Sequence, residues 1–180
     1  NSVTIAAGAT LVSLPLAASM AYAFARYNTG GLPLRLAVLS SQMLPPVILV
    51  LPLFSLFLKV SLLNTLPGMI AAHITISLPF LAWLLVAFFE GDIALIEQAA
   101  RIDGATRLQA FLRITMPIMA PGLLAAGLLS FILSWNEFLF ALILSGPQTS
   151  TLPVGLSSFQ THRGVDIALL SAAAICAILP

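Results

Sequence analysis

Four stretches of the chain contain no Asp, Glu, Lys or Arg: Ser2 to Ala25, Leu36 to Leu58, Val60 to Phe89, and Ile114 to Asn136. A helix that crosses a bilayer needs about 20 mostly apolar residues, and each stretch reaches that length. Apolar and polar positions do not alternate within them. Leu81-Ala82-Trp83-Leu84-Leu85-Val86-Ala87-Phe88-Phe89, for example, is continuous. A transmembrane β-barrel would alternate over segments of about 10 residues, so the pattern predicts helices. Five spanning segments are expected: about Val3 to Phe24, Leu36 to Leu58, Met69 to Phe89, Pro117 to Leu144, and a last, incomplete one from near Asp166 to Pro180. Breakers separate them, including Asn64-Thr65-Leu66-Pro67-Gly68 and Gly146-Pro147-Gln148-Thr149-Ser150. Pro15, Pro45, Pro46, Pro52, Pro79 and Pro121 fall inside the predicted spans. Each removes a backbone hydrogen bond and bends its helix. Kinked helices around a translocation path are expected, with plain packing irregularity as the other reading.

Composition agrees with the pattern. The 180 residues are 60% hydrophobic and 7% charged, with mean hydropathy +1.09. A soluble domain is roughly a quarter charged, so these few charges cannot cover an aqueous surface and the surrounding solvent must be lipid. The net charge is +1 and no basic cluster exists to neutralise phosphates, which excludes a nucleic-acid partner. Cys176 is the sole cysteine, so an intrachain disulfide and a cysteine metal site are both excluded. His73 and His162 lie too far apart in sequence to suggest a metal centre. Asn1 leads straight into an apolar run without a basic leader, which is unlike a secretory signal. The expectation is one membrane domain over residues 1–180, truncated at both ends.

Loops on one side hold Arg26, Arg35, Arg101, Arg107 and Arg113, and loops on the other hold Lys59 and Arg163. Basic residues favour the cytoplasmic side. Asn1 is therefore expected outside, and the polar stretch that begins at Glu90 inside.

That stretch carries most of the charge. Its first part reads as a short helix with Ile93, Ile96, Ala100 and Ile102 apolar and with Glu97, Arg101 and Asp103 polar. Ala99 and Ala100 would let another surface approach closely. Gly104 suits a left-handed helix stop. A second piece, Thr106 to Thr115, places Leu108, Phe111, Leu112 and Ile114 on an apolar stripe, and Pro117 is expected to end it and open the next span. A structured loop of this length is usually functional. The alternative is an interfacial helix on lipid headgroups, but acids and bases alternate here whereas lipid-binding helices favour bases.

Gln98, Ala99, Ala100, Gly104, Ile114, Met116 and Pro117 resemble the EAA loop of type I ABC-importer permeases, whose pattern is Glu-Ala-Ala, three residues, Gly, nine residues, then Ile-x-Leu-Pro. Both spacings are kept. Gln98 stands in place of the Glu, beside Glu97, and Met116 replaces Leu. Arg101-Ile102-Asp103-Gly104-Ala105, Trp135-Asn136-Glu137-Phe138 and Thr151-Leu152-Pro153-Val154-Gly155-Leu156 are similar to the sugar branch, the second permease of maltose-type systems. The resemblance implies an all-α, polytopic transmembrane helical bundle of type I ABC-permease (MetI-like) architecture, with about five of six helices in this chain. It implies a cytoplasmic coupling loop from Glu90 to Met116. Glu97, Gln98, Ala99, Ala100, Asp103, Gly104, Ile114 and Pro117 would serve ATPase coupling. The implied partners are ABC ATPase subunits, a second permease subunit and an extracytoplasmic solute-binding protein, all at the bacterial or archaeal cytoplasmic membrane.

Lys59 is the only lysine and no Gly-x-x-x-x-Gly-Lys precedes it, so the chain has no ATP-binding loop of its own. ATP and Mg are expected on a partner subunit, and no catalytic residue or cofactor is expected here. Glu137 is the one acid well inside an apolar region, and such acids are functional by default. With Trp135, Asn136 and His73 it is a candidate for the substrate path, the alternative being a structural contact. Two other functions remain at this point: a permease for a polyamine, amino acid, phosphate or glycerol-phosphate, and an ion-coupled secondary transporter. The second usually shows internal repeats and midplane acids, and neither is evident.

Overall fold

The computed structural model describes residues 1–90, 93–158, 160–161, 164–165 and 167–178. Arg163, counted for orientation, and Asp166, the expected start of the fifth span, lie outside the described residues, as do Gly91, Asp92 and His162.

The chain forms α1 (Ser2–Tyr27), α2 (Gly31–Met43), α3 (Pro46–Lys59) and α4 (Leu66–Phe89). After these come α5 (Ile93–Ile102), α6 (Arg107–Ala110), a π-helical turn (Phe111–Thr115), α7 (Met116–Ile118) and α8 (Ala120–Trp135). Short α9 (Leu139–Leu144) and α10 (Leu152–Ser157) lead to a two-residue antiparallel pair, β1 (Gln160–Thr161) with β2 (Gly164–Val165), and to α11 (Ile167–Ile178). Among the described residues, α1 and α4 are each long and apolar enough to cross a membrane, and there are up to four spans if each bent helix pair is one. With 26 residues, α1 is about 39 Å long, against a hydrocarbon core of about 30 Å.

α1 packs along α4 and α8. Its contact face is a ladder of small side chains, Ala9, Ser13, Ala17 and Ala21, all fully buried. Their four-residue spacing puts them on one face. Without a strong hydrophobic drive between helices in lipid, close backbone approach over such residues supplies the packing. One core cluster joins Ala17, Ala18 and Ala21 of α1 to Leu81, Ala82 and Leu85 of α4 and Ala126 of α8. A second, at the other end, joins Ile5, Val50, Phe57, Met69, Ala72, Phe140 and Ala141.

Two expected spans are not continuous. Leu36 to Leu58 was expected as one helix, but α2 and α3 meet at 94°. Pro45 disfavours the helical conformation of the residue before it, and Leu44 (φ −70°, ψ 127°) and Pro45 itself (φ −58°, ψ 129°) are both extended. Pro117 to Leu144 was also expected as one span. Instead the helix runs through Pro117, breaks at Met119 with a 73° bend, and breaks again between α8 and α9. Pro117 does not stop the helix because the preceding turn is already widened. The Met116 N–H bonds to the Phe111 carbonyl, five residues back, which is the spacing of a π-bulge.

The start of α4 is set by backbone sterics. Thr65 caps it, its hydroxyl accepting from the Gly68 N–H at 3.1 Å. A Cβ on Gly68 would lie 2.1 Å from the Leu62 carbonyl oxygen, whereas one on Gly127 would come no nearer than 3.4 Å to Leu14. Gly68→Ala should therefore lower the thermal midpoint of the detergent-solubilised protein, by a strain of about 1–3 kcal/mol. Gly127→Ala, mid-helix with ordinary space, should leave the midpoint unchanged or raise it. Equal midpoints for the two variants in scanning fluorimetry would show that the α4 turn is not the constraint described.

Candidate functional site

On α5 the sequence marks Ile93, Ile96, Ala100 and Ile102 as apolar and Glu97, Arg101 and Asp103 as polar. Burial does not follow that division. Glu97 is 4% exposed, whereas Ile96 is 49% and Ile102 is 87% exposed. Ile93 and Glu97, four residues apart, share the inward face, with Ile93 packed on the first core cluster. Gln98, Ala99, Asp103 and Gly104 lie on the exposed side and Ala100 between the two faces.

A carboxylate buried this deeply must be paired. The Tyr22 hydroxyl donates to Glu97 Oε1, and Arg26 Nε donates to Glu97 Oε2 at 3.0 Å. Tyr22 and Arg26 sit four residues apart on α1 and so share a face. Arg26 Nη1 also donates to the Phe89 carbonyl, the last residue of α4, at 2.5 Å. The last carbonyls of a helix lack internal partners, and a guanidinium there both bonds them and opposes the helix dipole. Arg35 does the same for α1, with Nη2 donating to the Phe24 carbonyl and Nη1 lying 3.4 Å from Glu90. The Tyr22 ring meets Phe89 edge-on at 5.9 Å and Phe111 at 4.5 Å. One cluster thus ties α1, α4, α5 and the π turn together.

Gly104 has φ +95° and open space around it. The Gly104 N–H bonds to the Arg101 carbonyl and the Ala105 N–H to the Ala100 carbonyl, the pair of bonds that closes a helix over a left-handed residue. Thr106 then starts α6 with a reciprocal cap, bonding the Gln109 N–H while the Gln109 side chain accepts from the Thr106 N–H. Ile114 is half-buried in the π turn and Pro117 is exposed beyond it.

The second candidate region is the break after α8. Both Glu137 oxygens accept backbone bonds from α9, Oε1 from Phe140 at 2.9 Å and Oε2 from Ala141 at 3.1 Å. Glu137 therefore caps α9. His73, 1% exposed, bonds Ser134 Oγ through Nδ1 at 2.7 Å, and its Nε2 lies 3.9 Å from Glu137 Oε2. Asn136 and Glu137 line a cavity of about 600 Å³ with Pro46, Ile76, Phe80 and Leu133. Trp135, grouped with them in the sequence reading, faces elsewhere. Its indole N–H donates to the Ala177 carbonyl at 3.2 Å, and it lines a different cavity with Asn1 and Thr151. One helical step of 100° separates adjacent side chains, which is enough to put Trp135 and Asn136 on different sides.

The sequence shows Arg26 as a loop charge and Phe111 on an apolar stripe, but it does not bring Tyr22, Arg26, Phe89 and Phe111 together around Glu97. The available signal was the Tyr22–Arg26 pair at i, i+4 near the end of an apolar span, facing an acid on the apolar stripe of a later helix. Glu97→Ala leaves Arg26 buried without its counter-charge, at a cost of about 3–5 kcal/mol. It should open α5 locally, and tryptic cleavage after exposed Arg101 should accelerate before global unfolding. Glu97→Gln, which still accepts from Tyr22, should show a smaller effect. Unchanged cleavage in Glu97→Ala would show that the cluster does not hold α5.

Residues 13–180 match the family described as binding-protein-dependent transport system inner membrane component. The chain is 37% identical over 182 residues to the putative ABC transporter permease protein ORF1 of Streptomyces antibioticus, covering 100% of this chain and 80% of that protein. It is 36% identical over 182 residues to the sulfoquinovosyl glycerol transport system permease protein SmoH of Agrobacterium fabrum, covering 100% of this chain and 64% of that protein. To the trehalose transport system permease protein SugB of Mycobacterium tuberculosis it is 40% identical over 161 residues, covering 88% of this chain and 59% of that protein. The chain thus spans between 59% and 80% of the length of these three relatives. With long apolar helices and bent apolar helix pairs, and with this match over most of its length, the chain belongs to the family of binding-protein-dependent transport system inner membrane components.

Proposed function

We propose that the chain is a membrane-spanning subunit of an ATP-binding-cassette importer that forms part of the path for a sugar or related polar solute. The observation that carries this reading is α5. Its inner face is fixed to α1 and α4 through Glu97, while Leu95, Ile96, Gln98, Ala99 and Ile102 remain exposed on its outer side. Apolar side chains left exposed on a charged loop call for a protein surface to cover them. An ATPase subunit docked there would move α5, and the anchor would pass that motion to the spans. ATP and Mg would be held by that subunit.

Family membership supports a second permease subunit and an extracytoplasmic solute-binding protein as further partners. The arginine distribution supports a cytoplasmic membrane location with the coupling loop inside. A sugar is favoured because relatives are named for trehalose, for trehalose/maltose in Thermococcus litoralis and for diacetylchitobiose in Streptomyces coelicolor. In the cavity at the α8–α9 break, Asn136 donates through Nδ2 to the Ile132 carbonyl at 2.9 Å, which leaves its Oδ1 to accept from a solute hydroxyl, whereas both Glu137 oxygens are engaged with α9.

Two outcomes are expected in reconstituted vesicles holding the complete transporter. Gly104→Asp forces a β-carbon and a charge onto a left-handed residue, at about 1–2 kcal/mol for the conformation alone, and should abolish solute-stimulated ATP hydrolysis while the subunit still inserts. Gly104→Asn should be milder. Full stimulation in Gly104→Asp would remove the coupling assignment. Asn136→Leu should raise the KM for uptake several-fold and leave basal ATP hydrolysis alone, whereas Trp135→Phe should not alter KM. The reverse pattern would place the solute on the Trp135 side.

A further inference from the structure

A cavity of about 370 Å³ lies beside the coupling-loop anchor, bounded by Ser19, Tyr22 and Tyr27 of α1 and by Arg107, Leu108 and Phe111. Arg107 is its charged wall. The guanidinium sits 5.1 Å from the centre of the Tyr27 ring, a placement that holds it by cation–π attraction. Among the described residues no carboxylate lies in ion-pair range of Arg107, whereas Arg26 and Arg35 each have one. Two of the other polar walls are already occupied. The Tyr22 hydroxyl donates to Glu97, whose charge Arg26 matches, and the Ser19 hydroxyl donates to the Pro15 carbonyl at 2.8 Å. The cavity therefore has an uncompensated positive charge.

The neighbouring surface has a distinct character. From Gly104 to Asn136 the only charged residues are Arg107 and Arg113. Leu108 is 65% and Leu112 is 54% exposed, one helical turn apart. The alternation of acids and bases that argues against lipid contact belongs to α5 alone; α6 and the π turn after it are basic and apolar. The cavity also stands where α1 ends, with Tyr27 exposed beside it, and amphipathic aromatic rings at the end of a span meet headgroups.

We propose that this cavity binds the headgroup of an anionic phospholipid, with Arg107 holding its phosphate and with Leu108 and Leu112 lying against the glycerol and upper acyl carbons. A guanidinium presents paired N–H groups that match two phosphate oxygens, and basic residues at the edge of a span are drawn to anionic leaflets. Because the site adjoins the Tyr22–Glu97–Arg26 cluster, its occupancy would act on α5 from the lipid side.

The test uses the complete transporter in nanodiscs of phosphatidylcholine with or without phosphatidylglycerol, reading bound phosphatidylglycerol by native mass spectrometry. Arg107→Gln should weaken phosphatidylglycerol binding about tenfold, the size of one charge-assisted contact. Arg113→Gln, outside the cavity, should change it by no more than about twofold. Arg107→Lys keeps the charge without the fork. It should retain the preference for phosphatidylglycerol at reduced affinity, and it carries the test if Arg107→Gln fails to assemble. Equal binding in wild type and either Arg107 variant overturns the proposal. So does displacement of the lipid by millimolar inorganic phosphate, which would mark a free-anion pocket. Loss of the ATPase subunit from Arg107→Gln in phosphatidylcholine alone would mark a protein contact and would equally overturn it.

Discussion

A single buried carboxylate holds one end of this structure together. Glu97 projects from a short helix into the end of an apolar bundle, where Tyr22 and Arg26 receive it. Unpaired, that charge would cost more than the helix could supply by its own stability, since ten residues make a marginal helix in isolation. Paired, it fixes α5 to the span that also packs on α4 and α8. Arg26 extends the link by bonding the last carbonyl of α4. The anchor is therefore a junction of three elements through one guanidinium, and that geometry suits a part that transmits motion.

Rigidity and bending are divided along the chain. α1 and α4 meet over small residues that permit close backbone approach, and each runs unbroken through its proline, Pro15 or Pro79. The bends lie elsewhere, at Leu44–Pro45 and at Met119. A motion entering at α5 would therefore reach this unbroken pair first. The break after α8 is handled differently. There Glu137 satisfies two N–H groups of α9, so an interruption at membrane depth is tolerated because a side chain replaces the missing helical bonds.

The spans and the loop were legible in sequence because their signals are long or local. Charge-free runs mark α1 and α4 within a few residues, and Gly104 marks the end of α5. Three features were not legible for definite reasons. Helix periodicity assigns Glu97 to the inner stripe, but polarity alone puts it outside. Only the presence of Tyr22 and Arg26, 75 and 71 residues away, decides between them. Pro45 and Pro46 announced a bend, but not a 94° elbow, since a single proline gives a kink and the pair leaves two successive residues extended. Trp135 and Asn136 are adjacent in sequence yet turned to different cavities, a distinction that a motif read as a string does not carry.

The central claim is that α5 and α1 move as one body because Glu97 is locked to Tyr22 and Arg26. Double electron–electron resonance tests it directly, with spin labels at Arg101→Cys on α5 and Ser19→Cys on α1 in a Cys176→Ala background of the assembled transporter. One narrow distance distribution is expected, unchanged between the nucleotide-free and ATP-bound states. A distribution that shifts or broadens on ATP binding would contradict it, because α5 would then be moving against the span to which it is said to be fixed.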